Sequence, residues 1–325
     1  MAALALFGAG RIGKIHARNA AAQPGLRLKY VVDPVAEAAQ ALAADIGAAT
    51  ATVDQALADP DIAGVIIASA TDTHLDYCLR VAATGKAIFC EKPIDLDLAR
   101  ARAAAPGLAK ARLLLGFNRR FDPNFQALKA RLDSGALGKL ETLNITSHDP
   151  APPPIGYIAT SGGLFLDMAI HDFDMARWLL GEEVVEVFAA ASCLVDRAIA
   201  EAGDVDTAKT LLRTASGKLC LISNSRRSGY GYDQRIEAFG SAGMARAGNV
   251  TETTLQTWTE AGAAAAPFQN FFLDRYADAY RLEMAHFAEV LAGAAPRVGL
   301  SDGLAALTLA EAAGESARTG VVVRV

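Results

Sequence analysis

Residues 2–13 read AALALFGAGRIG, an apolar stretch that runs straight into three glycines spaced as GxGxxG. The apolar residues predict a strand, and the segment Arg11–Ala22 predicts a helix. In such a strand–turn–helix, Gly8 permits the tight turn, Gly10 lets the backbone approach a pyrophosphate, and Gly13 lets the helix pack closely on the strand. The helix N-terminus supplies free N–H groups and the positive end of the helix dipole. The stretch therefore predicts a dinucleotide-binding unit.

Further apolar runs alternate with amphipathic segments through the first third of the chain. The strands predicted there are Ala2–Phe7, Leu28–Val32, Gly64–Ala68, Ala87–Cys90 and Leu113–Phe117. The helices predicted between them are Arg11–Ala22, Val35–Ile46, Thr73–Ala83 and one that begins near Asp95. Continuous apolar strands separated by helices indicate a parallel sheet covered on both faces, and right-handed crossovers make it a doubly wound α/β Rossmann fold.

The pattern changes after Asn118. The β-rich runs, spaced as in a mostly antiparallel sheet with one open face, are Leu140–Ser147, Val184–Leu194, Ala208–Thr214, Lys218–Asn224 and Gln234–Phe239. Helices are predicted over Phe125–Leu132, from about Gly163 to Leu180, and over Phe272–Leu291 and Ser301–Thr319. The sequence thus predicts a Rossmann domain over residues 1–118 and an α+β domain over residues 119–325, with the C-terminal helices as candidates for packing back on the first domain.

The composition of the chain limits the kinds of molecule that the protein can be expected to bind. With 325 residues, 52% of them apolar, the chain can bury a large core, and its length fits two domains. The net charge of −5 and the lack of a basic run with interleaved aromatic residues argue against nucleic acid and anionic membranes. The four cysteines fit no disulfide scaffold or zinc knuckle, and the sequence shows neither a signal peptide nor an apolar run that could span a bilayer. We therefore expect a cytoplasmic protein that acts on a small metabolite.

Asp33 extends the glycine motif into a cofactor prediction. It stands at the end of the second predicted strand, where a carboxylate accepts both ribose hydroxyls of a dinucleotide and repels a 2′-phosphate. Pro34 follows, so neither position offers the arginine or serine that would favour the phosphate. A helix-capping aspartate beside a structural glycine turn is the alternative, but strand, spacing and acid together favour NAD over NADP.

The triplet Glu91-Lys92-Pro93 follows the strand Ala87–Cys90, at the edge of the sheet where ligands bind in this fold. Lys92 would point into the crevice, where its ammonium could hydrogen-bond a reacting hydroxyl and stabilise developing negative charge. Pro93 would fix the turn, with a cis bond as one option. A solvated lysine in an ordinary loop is the alternative.

Residues 162–174 read GGLFLDMAIHDFD and place Asp167, His171 and Asp174 on one face of a predicted helix. Large apolar residues surround them, and buried charge is costly unless it is paired or used. An imidazole beside a carboxylate is a general base whose tautomer the carboxylate sets. A structural ion pair and a metal site on the same three side chains are the alternatives.

Together these motifs resemble the Gfo/Idh/MocA oxidoreductase family along essentially the whole chain. The shared features are the glycine motif, Asp33, the EKP triplet and the GG-x3-D-x3-HD-x-D segment. The stretches most similar to the inositol-oxidising members are GFNRRFDPNF (116–125), DPAPPP (149–154), SGGLFLDMAIHDFDMARWLLGEE (161–183) and YGYDQR (230–235). His148 departs from the pattern, because arginine is common at that place in close relatives.

The resemblance implies NAD-dependent oxidation of one secondary hydroxyl of a cyclic polyol, with myo-inositol as substrate and scyllo-inosose as product. Lys92 would polarise the hydroxyl, His171 would remove its proton, and Asp167 would orient the imidazole. The residues assigned to the cofactor, from the motif and the resemblance, are Gly8, Gly10, Arg11, Ile12, Gly13, Asp33, Ser69, Thr71, His74, Glu91 and Asn118. Those assigned to the substrate, besides Lys92 and His171, are Arg119, Asp149, Asp174 and Tyr232. Family members usually form tetramers through the open sheet faces of their second domains, so a homotetramer is expected.

Three alternatives stay open from the sequence. The substrate could be scyllo-inositol or an aldose such as glucose, with NAD or NADP. The chain could be a non-catalytic NAD-binding regulator, or a metal-dependent isomerase or lyase that uses the same helix. The dehydrogenase hypothesis requires the ammonium of Lys92 and the imidazole of His171 to act on one carbinol.

Overall fold

The structure is a computed structural model, and it describes residues 1–325 apart from the side chain of Ala159. The chain divides into two compact units, each formed from two stretches of sequence. The first unit holds residues 1–121 and 279–305, and the second holds residues 122–278 and 306–325. A late helical stretch of the chain thus belongs to the first unit.

A six-stranded parallel sheet forms the centre of the first unit. Its strands are β1 (Ala2–Phe7), β2 (Leu26–Val32), β3 (Ala49–Thr50), β4 (Ile62–Ile67), β5 (Ala87–Glu91) and β6 (Leu113–Gly116). They lie in the order β3-β2-β1-β4-β5-β6, and each neighbouring pair is parallel. This confirms the doubly wound Rossmann fold, in which the strand order reverses between β1 and β4 and leaves a crevice at their carboxyl ends.

Helices follow most of these strands. They are α1 (Arg11–Ala22), α2 (Ala36–Ile46), α3 (Val53–Ala58), α4 (His74–Ala82) and α5 (Leu98–Leu108), with single 3-10 turns at Thr71–Thr73 and Asn118–Phe121. Because helices cover both faces of a parallel sheet, its central strands are apolar throughout, and Leu4, Leu6, Val65 and Ile66 are fully buried.

A seven-stranded sheet forms the centre of the second unit. Its strands are β7 (Leu140–His148), β8 (Val184–Ser192), β9 (Thr207–Thr214), β10 (Leu219–Ser225), β11 (Asp233–Gly240), β12 (Gly243–Ala247) and β15 (Val323–Arg324). The order is β12-β11-β7-β10-β9-β8-β15, and every pair is antiparallel except β7 with β10. Buried and exposed residues alternate along β9 and β10, as expected for a sheet with one open face. This confirms the mostly antiparallel α+β architecture. A separate hairpin joins β13 (Gln256–Thr259) to β14 (Gly262–Ala265).

One predicted helix is interrupted, and another changes its helix type along its length. The later helices are α6 (Pro123–Asp133), α7 (Ile155–Ser161), α8 (Ile170–Leu180), α9 (Arg197–Glu201), α10 (Phe272–Arg275), α11 (Ala277–Leu291) and α12 (Leu300–Thr319). The segment predicted as one helix over 163–180 is helical throughout. It begins at Gly163, which like Gly162 has a positive φ, and passes through a π-helical turn, Phe165–Ala169, before α8. The helix predicted over 272–291 is interrupted at Tyr276, whose backbone leaves the helical region.

Among the described residues, no helix is both long and apolar enough to cross a bilayer.

Candidate active site

The glycine turn after β1 is shaped by contacts that exclude larger side chains. Gly8 has a φ of +103°, and a Cβ there would lie 2.3 Å from the carbonyl oxygen of Ala68. A Cβ on Gly13 would lie 2.0 Å from the carbonyl oxygen of Gly8. On Gly10, by contrast, a Cβ would meet nothing within 4 Å among the described residues. The open side of the turn and the free N–H groups at the start of α1 therefore fit a pyrophosphate.

Asp33 follows β2 and ties its loop to the glycine turn. Its carboxylate accepts the backbone N–H of Ala9 at 2.6 Å and that of Val35 at 2.8 Å. A carboxylate has about four acceptor positions, so two remain for the hydroxyls of a ribose. The cleft beside it has a volume of about 230 Å³ and is lined by Phe7, Gly8, Val32, Asp33, Pro34, Ala51, Thr52, Val53, Ser69 and Tyr77. Its lining from the ends of β1, β2 and β4 fits the nucleoside end of a dinucleotide.

The loop Glu91-Lys92-Pro93 follows β5 and has a cis peptide bond before Pro93. His74 supports it from α4, because its Nδ1 lies 2.8 Å from the carbonyl oxygen of Pro93 and its Nε2 lies 3.2 Å from that of Ser69. Burial lowers the pKa of His74, so the imidazole is neutral at pH 7 and only one of its nitrogens donates at a time. His74 thus connects Ser69 with the loop that carries the half-buried Lys92.

The 3-10 turn after β6 carries the last predicted residues of the first unit. Asn118 and Arg119 are both buried there. Gly10 and Arg11 are exposed at the glycine turn, while Ile12, Ser69 and Thr71 are partly buried. The structure therefore brings the predicted cofactor residues to the carboxyl ends of the parallel strands and to the helices that begin there.

In the second unit, Asp167 lies on the π-helical turn, a distortion that recurs at functional sites. The hydroxyl of Tyr157 donates to Oδ1 of Asp167 at 2.9 Å. The guanidinium of Arg226, which is 1% exposed, lies 3.7 Å from Oδ2 of Asp167 and 3.4 Å from Oδ2 of Asp204. A phenol and a buried cation thus fix the carboxylate that was predicted to orient His171.

The remaining predicted residues of this unit lie on α8 and around the ends of β7 and β11. His171 and Asp149 are partly buried, and Asp174 is fully buried. The backbone N–H of Asp149 donates to the carbonyl oxygen of Ser225 at 2.9 Å, which fixes the chain just after β7. Tyr232 is 7% exposed and packs edge-on against Tyr276, with ring centroids 6.0 Å apart.

Four side chains near the predicted site residues stand in none of the sequence motifs. Arg226 and Tyr157 contact Asp167, and His16 contacts Glu91 in the first unit at 2.6 Å. Glu283 on α11 was also missed. Its signal was present, because the buried residues 279, 280, 283, 284, 287 and 290 follow helical periodicity and include one carboxyl group.

Among the described side chains, no group of three or more His, Cys, Asp and Glu is arranged to hold a metal ion.

The strand order, the glycine turn and Asp33 define a Rossmann protein that binds a dinucleotide. Comparison with known proteins narrows this class. The chain belongs to the GFO/IDH/MocA family. Residues 3–118 match the family model described as an oxidoreductase family with an NAD-binding Rossmann fold. Residues 125–246 match the model of the GFO/IDH/MocA C-terminal domain. The first unit is therefore an NAD-binding Rossmann domain, and the protein is an oxidoreductase, as the sequence predicted.

Individual relatives cover the whole chain. The protein is 50% identical over 311 residues to the inositol 2-dehydrogenase of Rhizobium meliloti (strain 1021), which covers 95% of this chain and 94% of the relative. A crystal structure of a myo-inositol dehydrogenase from Corynebacterium glutamicum ATCC 13032 matches with a TM-score of 0.96 and 46% identity, over 99% of this chain and 98% of that one. A scyllo-inositol dehydrogenase from Lactobacillus casei, crystallised with NAD(H) and scyllo-inositol, matches with a TM-score of 0.92 and 28% identity, over 100% and 99%.

Proposed function

We propose that the protein oxidises one secondary hydroxyl of a cyclic polyol with NAD, and that its substrate is myo-inositol, which becomes scyllo-inosose. The observation that carries the proposal is the environment of Asp167, whose carboxylate is fixed four residues before His171 in a chain with an NAD-binding unit. The inositol 2-dehydrogenase at 50% identity supports the choice of substrate.

Each of three side chains has a separate task in this mechanism. Lys92 donates a hydrogen bond from its ammonium to the hydroxyl oxygen and stabilises the negative charge that develops there. His171 takes the hydroxyl proton as general base, and Asp167 orients its imidazole and stabilises the imidazolium. The glycine turn and Asp33 would hold NAD, which would supply the hydride acceptor for the carbinol carbon, so that alcohol and oxidised cofactor would become ketone, reduced cofactor and one proton.

The other assigned residues bind the two ligands. Asp33 would accept the ribose hydroxyls, and the glycine turn would bind the pyrophosphate. The positions assigned to the remaining cofactor contacts are Arg11, Ile12, Ser69, Thr71, His74 and Asn118. Those assigned to the other hydroxyls of the polyol ring are Arg119, Asp149, Asp174 and Tyr232. Carboxylate, amide and phenol groups suit a ligand that presents only hydroxyls.

We further propose that the protein is a cytoplasmic homotetramer. The open face of the second-unit sheet supports this, because it presents the large apolar side chains Phe188, Leu211, Leu219, Leu221, Phe239 and Met244, which are 37–53% exposed. The strand register places Phe188, Leu211 and Leu221 side by side on it. A contiguous apolar face of this kind marks an association surface. Light scattering coupled to size-exclusion chromatography tests the assembly, and a monomer would refute it.

The substrate proposal is tested by NADH absorbance with purified protein and a panel of inositol isomers and aldoses, each with NAD and NADP. We expect the highest kcat/KM for myo-inositol with NAD. A preference for scyllo-inositol or glucose would refute the substrate, and reduction of neither cofactor by any polyol would indicate a regulator that only binds NAD.

The roles of the side chains are tested by Lys92→Met and His171→Asn. Each should lower kcat by about 10²-fold or more, because general acid–base and charge stabilisation each contribute at this scale. NADH binding, followed by fluorescence titration, should survive in both. Near-normal turnover in both variants would refute these roles.

A further inference from the structure

Both oxygens of the Glu91 carboxylate have partners within the first unit. Oε1 lies 2.6 Å from Nε2 of His16, a fully buried side chain of α1. Oε2 accepts the backbone N–H of Lys92 at 3.2 Å. A Cβ on Gly116 of the neighbouring strand β6 would lie 3.0 Å from Oε2, so strand β6 closely borders this carboxylate. Glu91 is therefore held from three sides, directly before Lys92.

A second carboxyl group of the first unit, that of Glu283 on α11, is fully buried. Neither of its oxygens has a hydrogen-bond partner among the described residues. Burial raises the pKa of Glu283 well above its usual range, and the charge of Glu91 raises it further. Glu283 therefore keeps its proton at neutral pH, because an unpaired buried carboxylate would be costly.

Glu91 itself stays ionised. Burial alone opposes its charge, but the hydrogen bond and charge of His16, followed by the charge of Lys92, hold the pKa of Glu91 below its usual range. The groups that act on Glu91 are thus the imidazole of His16, the ammonium of Lys92 and the neutral acid of Glu283. This set, called here the Glu91 cluster, places one fixed negative charge behind the Lys92 loop.

We propose that Glu91 is a positioning residue for Lys92: its carboxylate, anchored by His16 and bonded to the backbone N–H of Lys92, fixes the loop that carries the ammonium. This inference rests on the role of Lys92 in the proposed function. It gives Glu91 a task different from the cofactor contact that the family resemblance implies, because both carboxylate oxygens already have partners in the protein.

The charge is tested with Glu91→Gln, which keeps the shape of the side chain and removes its charge. We expect kcat to fall about tenfold, the equivalent of one lost charge-assisted hydrogen bond. We also expect the KM for myo-inositol to stay within about twofold, because the ammonium of Lys92 acts on the negative charge that develops during the reaction and not on the bound alcohol. An unchanged kcat, or a KM that rises as much as kcat falls, would overturn the proposal.

Cofactor binding separates positioning from direct contact. The Kd of NADH for Glu91→Gln, measured by fluorescence titration, should stay within about twofold of the wild-type value, since less than 0.5 kcal/mol is expected for a group that does not touch the ligand. A weakening of about tenfold or more would make Glu91 a cofactor ligand and overturn the proposal.

The anchor is tested separately with His16→Gln, which leaves the carboxylate in place. We expect a lower kcat with an unchanged Kd for NADH, because the carboxylate remains while its position loosens. A kcat equal to that of the wild type would show that His16 anchors nothing. This variant also keeps the proposal testable if Glu91→Gln fails to fold.

Glu289→Gln is a matched control, because it removes the carboxylate that lies 2.7 Å from His286 in the same unit, and kcat should not change. Lys92→Met tests the proposed function itself. An active Lys92→Met refutes both ideas, whereas an inactive Lys92→Met with an unchanged kcat for Glu91→Gln refutes only this one.

The protonation of Glu283 is read by infrared difference spectroscopy, in which Glu283→Gln should remove a carboxylic acid C=O band at pH 7. The absence of such a band would overturn its neutral state.

Discussion

Each unit of the molecule contains a pair of carboxyl groups that includes or adjoins a residue assigned to catalysis. The negative charge of the two pairs is compensated in different ways. In the first unit, Glu91 is paired with His16 while Glu283 keeps its proton. In the second, Asp167 and Asp204 lie 3.7 and 3.4 Å from the buried guanidinium of Arg226.

A guanidinium stays charged at every pH at which proteins are folded, whereas a buried carboxylic acid gives up its proton when the pH rises through its pKa. The second cluster therefore keeps its cation as the pH changes, and the Glu91 cluster instead relies on the proton of Glu283. Two neighbouring buried acids can thus be stabilised by a cation that is always charged, or by one acid keeping its proton. Only in the second case does the stability of the pair depend on pH.

The largest expected effect is that of Arg226→Met. It leaves Asp167 and Asp204 beside an apolar side chain, and we expect the free energy of unfolding to fall by about 3 kcal/mol, as when one partner of a buried ion pair is removed. Urea denaturation at pH 7 measures it. Arg226→Lys, which keeps the charge, should recover part of this loss, and equal losses in the two variants would show that charge is not the reason.

His16→Leu should have the next largest effect. It leaves the ionised Glu91 without its closest partner, and about 2 kcal/mol of stability should be lost at pH 7, the range of hydrogen bonds to charged groups. The double variant that combines His16→Leu with Glu91→Gln should lose less free energy of unfolding than the two single variants lose together. Additive losses would mean that the 2.6 Å contact contributes little.

Glu283→Gln should change how stability depends on pH. The pKa of Glu283 is raised in the folded state, so its stabilising contribution is complete below the ordinary value of 4.5 and is lost progressively as pH rises through the folded value. Relative to the wild type, the variant should therefore gain stability with rising pH above about 4.5, by at most about 1.4 kcal/mol per pH unit. Thermal unfolding from pH 5 to 9 tests this, and parallel curves would contradict a protonated Glu283.

The smallest effect is expected from Glu289→Gln. Glu289 lies 2.7 Å from Nδ1 of His286, but its side chain is 57% exposed. Water screens such pairs, so stability should change by less than about 0.5 kcal/mol. A loss of stability as large as that of His16→Leu would show that burial does not explain why the Glu91–His16 pair matters more than the Glu289–His286 pair.

Periodicity and glycine chemistry were enough to predict much of the first unit. The GxGxxG turn, Asp33 and the apolar strands gave the Rossmann fold, because each is a local pattern with one structural solution. Short elements were missed, among them β3, α3, α9 and the β13–β14 hairpin. They contain few buried residues, and so they carry no periodic signal.

The candidate site was predictable only in its local parts. Lys92, Asp167 and His171 stand in recognisable motifs, but the partners of Asp167 and Glu91 lie 59 and 75 positions away at Arg226 and His16, and no spacing rule connects them. The π-helical turn was missed because an apolar run with two leading glycines is also compatible with a continuous α-helix.

Gly64 of β4 has a consequence for how the protein is made. A Cβ there would lie 2.9 Å from Leu291 and 3.2 Å from Phe287, so α11 packs directly on the bare backbone of the nucleotide-binding sheet. During translation this strip of sheet stays uncovered until more than 220 further residues have been synthesised. A truncated product of residues 1–121 should therefore aggregate in cells, whereas supplying residues 279–305 through a flexible linker should restore a soluble domain that binds NADH.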